Sequence, residues 1–138
     1  HQHAVRHRHA LVDQGLPETV ERLKAFGPES LLVQISARPT SFAPWADLVV
    51  HLDDLGRDVE DGRLIKLLDG QSSSAWQRAA YLLDLGDQSQ LAQAVLDRRP
   101  NRRLSHVLLG PGTDGEFSSR FKVTDHLAAP YLRQAGKA

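Results

Sequence analysis

The sequence predicts an α+β fold: a layer of about four to five helices with a short strand and a C-terminal antiparallel β-hairpin. Three observations predict it. Apolar residues recur at helical spacing between Trp45 and Leu96, punctuated by Gly and Pro. Leu31–Ala37 is a short apolar run with β-branched residues, Leu104–Leu109 reads as a strand, and Phe117–Thr124 alternates apolar and polar residues. The turn-rich stretch Gly110–Gly115 separates the last two of these segments. At 138 residues the chain is about one domain and long enough to bury a core without disulfides or metal staples. We divide it into a flexible His-rich segment (1–15), a single domain (16–130) and a C-terminal tail (131–138).

His1, His3, His7 and His9 open the chain, and imidazole is a common metal ligand. Arg6 and Arg8 intervene and no carboxylate lies among them, so we read a frayed terminus rather than a metal site. Leu16–Phe26 predicts a helix, with Pro17 in the first turn, Glu18 and Glu21 near the positive dipole end, and Leu16, Val20 and Leu23 buried. Gly27-Pro28 closes it. Leu31–Ala37, between Pro28 and Pro39, predicts a strand. Over Thr40–Gly56, Trp45, Leu48, Val49, Leu52 and Leu55 share one helical face, with Ser41 as cap, Pro44 in the opening turn and Gly56 as the stop. His51 lies on or beside that face, with no partner motif around it, and reads as a surface or packed histidine.

Glu60–Asp69 predicts a short helix with Leu64, Leu67 and Leu68 inward and Gly70 after its end. Asp53, Asp54, Asp58, Glu60 and Asp61 make an acidic corner; they lack the spacing of a calcium loop and read as caps and solvated charges. Asp69–Pro100 predicts the packing centre, two helices joined by a tight corner. Ser72, Ser73 or Ser74 caps the first, and Trp76, Ala79, Ala80 and Leu83 form its broad apolar face. Gly86 stands where a helix ends in a left-handed residue. Asp87 or Ser89 starts the second helix, Leu91, Ala94 and Val95 continue the stripe, and Pro100 ends it. Leu104–Leu109 then predicts a strand. Phe117–Thr124 predicts a half-buried strand with Phe117, Ser119, Phe121 and Val123 on one side, and the two should pair as a hairpin with a longer loop. His126–Ala138 is a short exit containing Pro130.

Composition narrows the function. Acidic and basic residues balance at 17 each, so no global charge pulls the chain toward nucleic acid or anionic lipid. The absence of cysteine removes thiol nucleophiles and thiolate-bound metal, and fits the cytoplasm. No apolar run approaches the roughly 20 residues that span a bilayer, and no secretory signal is visible. The chain starts at His1 and contains no Met, which predicts a missing N-terminal part. No G-x-S-x-G, H-E-x-x-H, Walker loop or dinucleotide fingerprint occurs, and the Gly110–Gly115 stretch lacks the lysine and following helix of a phosphate loop. We expect no enzyme activity and no cofactor or metal. What stands out is the basic run Arg98, Arg99, Arg102 and Arg103. Cations at a helix end complement its dipole; as a patch, they would also meet an anionic partner.

The order of motifs carries a resemblance. Trp45-Ala46-Asp47-Leu48 precedes the Leu-rich segment Arg63–Leu68. Arg78, Tyr81, Leu82, Leu83 and Gly86 follow, then Val107-Leu108-Leu109-Gly110-Pro111, then Phe121-Lys122-Val123-Thr124-Asp125 running into Leu127-Ala128-Ala129-Pro130. Over roughly 40 to 130 the chain resembles the C-terminal domain of AbiEi-type antitoxins of bacterial type IV toxin–antitoxin systems. The resemblance implies a domain that neutralises a cognate nucleotidyltransferase-like toxin, with or without a stable complex. It also implies a transcriptional autoregulator whose operator DNA is bound by an N-terminal winged helix-turn-helix, which is not evident here. The expected interaction residues are Arg98, Arg99, Arg102 and Arg103, with Arg120 and Lys122 on the outer face of the last strand. The alternative is a nucleic-acid-binding module that uses the Arg98–Arg103 cluster directly, against which the zero net charge counts.

Overall fold

The structure is a computed structural model that describes residues 27–41, 45–111 and 115–134. The His-rich start, the helix expected over Leu16–Phe26, Pro44 and the middle of the Gly110–Gly115 loop lie outside the described residues. Seven α-helices and a three-stranded mixed sheet are present among them, which is the α+β class. The helices are α1 (Pro28–Ala37), α2 (Trp45–Val49), α3 (Leu52–Asp58), α4 (Asp61–Leu68), α5 (Ser73–Leu85), α6 (Ser89–Asp97) and α7 (Ala129–Gln134). The strands are β1 (Val107–Leu109), β2 (Glu116–Ser118) and β3 (Val123–Asp125).

The expected strand at Leu31–Ala37 is the second half of α1. Pro28 occupies its opening turn, Glu29 stands in the first turn, and the buried residues Leu31, Leu32, Ile35 and Ser36 follow a helical repeat, not an alternation. The single helix expected over Thr40–Gly56 is divided. A 3-10 turn covers Pro39–Ser41, α2 ends at Val49, and α3 begins at Leu52. Its apolar face survives the break, because Trp45, Leu48, Val49, Leu52 and Leu55 are all buried. Gly56 is not a stop; it is a buried residue inside α3. In α4, Leu64 and Leu68 are buried as expected, whereas Leu67 is exposed.

Helix α5 is the hub. Ser72 caps it, its hydroxyl accepting from the Ala75 N–H at 3.2 Å. Along it Ala75, Trp76, Ala79, Ala80, Leu82 and Leu83 are buried, so it is covered on several sides by α1, α3, α6 and the sheet. Gly86 has φ −86°, and the left-handed residue of this corner is Asp87, at φ 65°. Gly86 is required for a different reason: a Cβ there would lie 2.6 Å from the Leu52 carbonyl oxygen, so only glycine lets the end of α5 meet the start of α3. In α6 the buried stripe is Ala92, Val95 and Leu96, with Leu91 half-buried, while Ala94 faces solvent.

The sheet order is β1-β3-β2. The expected pairing of Leu104–Leu109 with Phe117–Thr124 as a hairpin is replaced by two ladders. β1 runs parallel to β3, Val107 facing Val123, and β2 runs antiparallel to β3, Phe117 facing Thr124. The predicted strand Phe117–Thr124 is itself folded in two, because Lys122 takes φ 54° in the turn between β2 and β3. That turn places Phe121 in the core at zero exposure and leaves Phe117 56% exposed, although alternation would put both on one side. The exit after His126 forms helix α7.

Candidate interaction surface

Three polar residues of α5 fasten the sheet to the helical layer. The Gln77 amide donates to the Ser105 carbonyl at 2.8 Å and to the Phe121 carbonyl at 2.9 Å. Arg78 Nε donates to the Leu108 carbonyl at 2.9 Å and Nη1 to the Ser36 carbonyl at 3.0 Å. The Tyr81 hydroxyl donates to Asp125 Oδ2 at 2.6 Å in the buried interior. Asp125 also accepts from the backbone N–H groups of Leu127, Ala128 and Ala129 at 2.9, 2.7 and 2.9 Å. One carboxylate thus ties α5, β3 and the start of α7 together. Burial, then the charge of Asp125, raises the Tyr81 hydroxyl well above the usual tyrosine range and keeps it a donor. These strands are three residues long and form few ladder bonds; the side chains of α5 supply the missing constraint.

The basic cluster starts at the C-terminus of α6. Arg98 caps the helix through its backbone. Arg99 turns inward: its Nη1 donates to the Leu96 carbonyl at 2.6 Å and its Nη2 to the Arg102 carbonyl, closing the 98–103 turn. Arg98, Arg102 and Arg103 are exposed, and among the described residues none of them forms an ion pair. Arg98 also lines a cleft of about 570 Å³ with Ile65, Lys66, Asp69 and the buried Trp76, between the end of α4 and the start of α5. The Trp76 Nε1–H is buried without an acceptor among the described residues.

Arg120 and Lys122 are not on a strand face. Both lie in the turn between β2 and β3. Arg120 is a clamp: it bonds Asp84 at 3.1 Å, the Ser89 hydroxyl at 3.0 Å and Gln93 at 3.0 Å, and its guanidinium stands 4.8 Å over the Phe121 ring. It therefore holds the turn against α5 and the N-terminal half of α6. The Arg98–Arg103 group stands at the other end of α6, a 9-residue helix, about 12 Å along its axis. The six candidate residues consequently fall into three roles: Arg98, Arg102 and Arg103 are uncommitted cations, Arg99 and Arg120 brace the fold, and Lys122 is an exposed turn residue.

The acidic corner resolves into local contacts. Glu60 caps α4, accepting from Gly62 N–H at 3.1 Å and Arg63 N–H at 2.9 Å. The buried Glu29 accepts from the Glu60 N–H at 2.7 Å and pairs with Arg63 at 3.5 Å. Asp54 pairs with Arg57 and, at 4.0 Å, with the part-exposed His51. Among the described residues no group of three or more His, Cys, Asp or Glu is placed to hold a metal ion, and no helix is long and apolar enough to cross a membrane. The polar positions 77, 78 and 81 are the functional-looking residues that sequence reasoning missed as a set. Their signal was a group of hydrogen-bonding side chains at i, i+1 and i+4 on an otherwise apolar helix.

The AbiEi antitoxin C-terminal domain family matches residues 2–85. The chain is also similar to the crystal structure of the RV2827C protein from Mycobacterium tuberculosis, with 48% identity and a TM-score of 0.75, over 80% of this chain and 39% of that one. This chain therefore spans about two fifths of the length of that protein. No curated protein matches it.

Proposed function

The chain belongs to the AbiEi antitoxin C-terminal domain family, and from that premise we propose that it is the neutralising domain of a bacterial toxin–antitoxin pair. The toxin is a nucleotidyltransferase-like protein, and the setting is the bacterial cytoplasm. Operator binding and autoregulation belong to a winged helix-turn-helix in the larger protein of which this domain is the C-terminal part. The role is one of interaction, without catalysis or cofactor. The single observation that carries the reading is the family match over more than half of the chain.

The structure supports a location for the contact. Among the described residues Arg98, Arg102 and Arg103 spend no side-chain hydrogen bond on the fold, whereas Arg99 and Arg120 do. Cations held at the end of a helix and left uncommitted are suited to an acidic partner surface. The cleft beside Arg98 and Trp76 gives that surface a concave, partly apolar element of the kind that anchors interfaces. Co-expression tests the proposal. The 138-residue chain is produced beside the nucleotidyltransferase-like protein encoded next to it, and surviving cells are counted. Rescue is expected. A soluble, folded chain that gives no rescue, while the full-length gene does, would contradict the assignment of neutralisation to this domain.

A second reading rests on the same three arginines: direct, salt-sensitive binding of nucleic acid. Each phosphate contact would add to the slope of log affinity against log salt. Strong DNA binding by this chain that weakens steeply with salt would favour it over the protein-partner reading.

A further inference from the structure

A second arginine-lined cleft lies away from the Arg98–Arg103 surface, and the inference drawn from it stands whether or not the toxin reading holds. The end of α1, the turn over residues 38–41 and the strand β1 border an open cleft of about 420 Å³. Arg38, Arg78, Thr40 and Ser41 line it together with Leu108 and Gly110, and among the described residues no carboxylate lines it. Both walls are fixed. Trp45 Nε1 donates to the Pro39 carbonyl at 2.9 Å, and the Ser41 N–H donates to the Arg38 carbonyl at 3.1 Å. On the other wall Gly110 has φ 94°, and a Cβ there would lie 2.5 Å from Leu127 Cγ, so the chain can turn there only as glycine.

The charge balance of Arg78 is unusual. It is half-buried, and burial holds its guanidinium below the usual arginine range. Its Nε and Nη1 donate to two neutral carbonyls, and among the described residues it forms no ion pair. The Ser36 carbonyl stands at the C-terminal end of α1, whose dipole supplies only a partial negative charge. These bonds fix the plane of the guanidinium and leave its charge uncompensated. Arg38, exposed and likewise outside any ion pair among the described residues, adds a second cation to the same cleft.

We propose that this cleft binds the phosphoryl group of a small phosphorylated molecule. Two guanidinium groups and two hydroxyls supply several donors for a tetrahedral oxyanion, and guanidinium forks match phosphate geometry. The volume lies within the range of small-ligand sites. The phosphoryl group comes either as free phosphate or as a nucleoside monophosphate; the shared chemistry is the dianionic phosphate. The amides of the Gly110–Gly115 loop are not needed for it.

Titration calorimetry on the 138-residue chain with inorganic phosphate, adenosine monophosphate and adenosine tests the site. Saturable binding of either phosphate-bearing probe at one site, with no binding of adenosine, is expected. If only inorganic phosphate saturates, the free anion is the ligand; if the monophosphate binds more tightly, the nucleoside adds contacts. Arg38→Ala should weaken binding by about three- to tenfold with an unchanged melting midpoint, since it keeps the Arg38 backbone bonds and the Arg38 side chain braces nothing among the described residues. Arg78→Lys keeps the charge, loses the fork, and should weaken binding at least as much. Should Arg78→Lys not fold, Arg38→Ala and Thr40→Val decide. No saturable binding of either phosphate-bearing probe at millimolar concentration overturns the proposal. So does equal binding of adenosine, or binding that Arg38→Ala and Thr40→Val leave unchanged.

Discussion

Replacing Asp125 by Ala should be among the most damaging single substitutions in the described residues. Asp125 has zero exposure and accepts four hydrogen bonds, from Tyr81 and from the N–H groups of Leu127, Ala128 and Ala129. Removing the carboxylate strands four donors. The Leu127 N–H is part-buried and can recover a water, while the other three are buried. At roughly 1 to 3 kcal/mol for each stranded buried donor, partly relieved by local relaxation, the loss is on the order of 4 kcal/mol. That is a large share of the stability of an ordinary domain. Tyr81→Phe removes one donor and leaves Asp125 with three, so its cost is about 1.5 kcal/mol. Asp125→Asn should fall between them: Oδ1 still serves Leu127 and Ala128, whereas an amide in place of Oδ2 opposes the Ala129 N–H. Urea unfolding followed by circular dichroism, with the midpoint and slope fitted separately, gives the three values. Asp125→Ala costing no more than Tyr81→Phe would refute the reasoning.

Three further outcomes follow from the same contacts. Gly86→Ala places a methyl group 2.6 Å from the Leu52 carbonyl oxygen and should destabilise by about 1–3 kcal/mol in thermal unfolding, although the residue's negative φ is open to alanine. Arg120→Ala should cost about 1 kcal/mol, because its ion pair with Asp84 is largely solvated while its stacking on Phe121 and its bonds to Ser89 and Gln93 are lost together; a neutral result in urea unfolding would show that the clamp is ornamental. Tyr81 titrates higher in the folded chain than its unfolded value of about 10. The unfolded state therefore binds fewer protons above that pH, and stability that is fully present below it falls as pH rises further. Tyr81→Phe should reduce the alkaline slope of unfolding free energy by up to one proton, about 1.4 kcal/mol per pH unit.

The helical layer was legible where punctuation and period agree. Glu60, Ser72 and the Asp87–Ser89 corner bound α4, α5 and α6 as the sequence suggests, because caps and turns are local chemistry. Leu31–Ala37 was misread because a seven-residue apolar run with Val33 and Ile35 fits either repeat; the arbiter is Pro28, which sets a first helical turn three residues upstream. Val50-His51 breaks a helix with neither Gly nor Pro, so nothing local marks the break, and the apolar phase continues across it. An antiparallel hairpin does close the domain, between β2 and β3; what differs is the place of Leu104–Leu109, for two reasons. A left-handed Lys122 has no compositional signal, and the parallel pairing of β1 with β3 is decided by contacts to Gln77 and Tyr81, more than 25 residues away in sequence. Of the proposed interaction residues, the run Arg98–Arg103 was visible as charge density. That Arg99 is a brace depends on how its side chain folds back on the Leu96 carbonyl, and that Arg120 is one depends on Asp84 and Gln93, which only the fold brings to it. Helix α7 went unseen because its N-terminus is capped by Asp125 from the end of a strand.

The most direct test of the central claim is charge reversal at Arg102 and Arg103 in the co-expression assay. Both side chains are exposed and form no ion pair among the described residues, so the double variant should melt at the wild-type midpoint. The account predicts that Arg102→Glu with Arg103→Glu folds normally and loses protection against the toxin. Full protection by the folded variant would contradict the assignment of this surface to neutralisation.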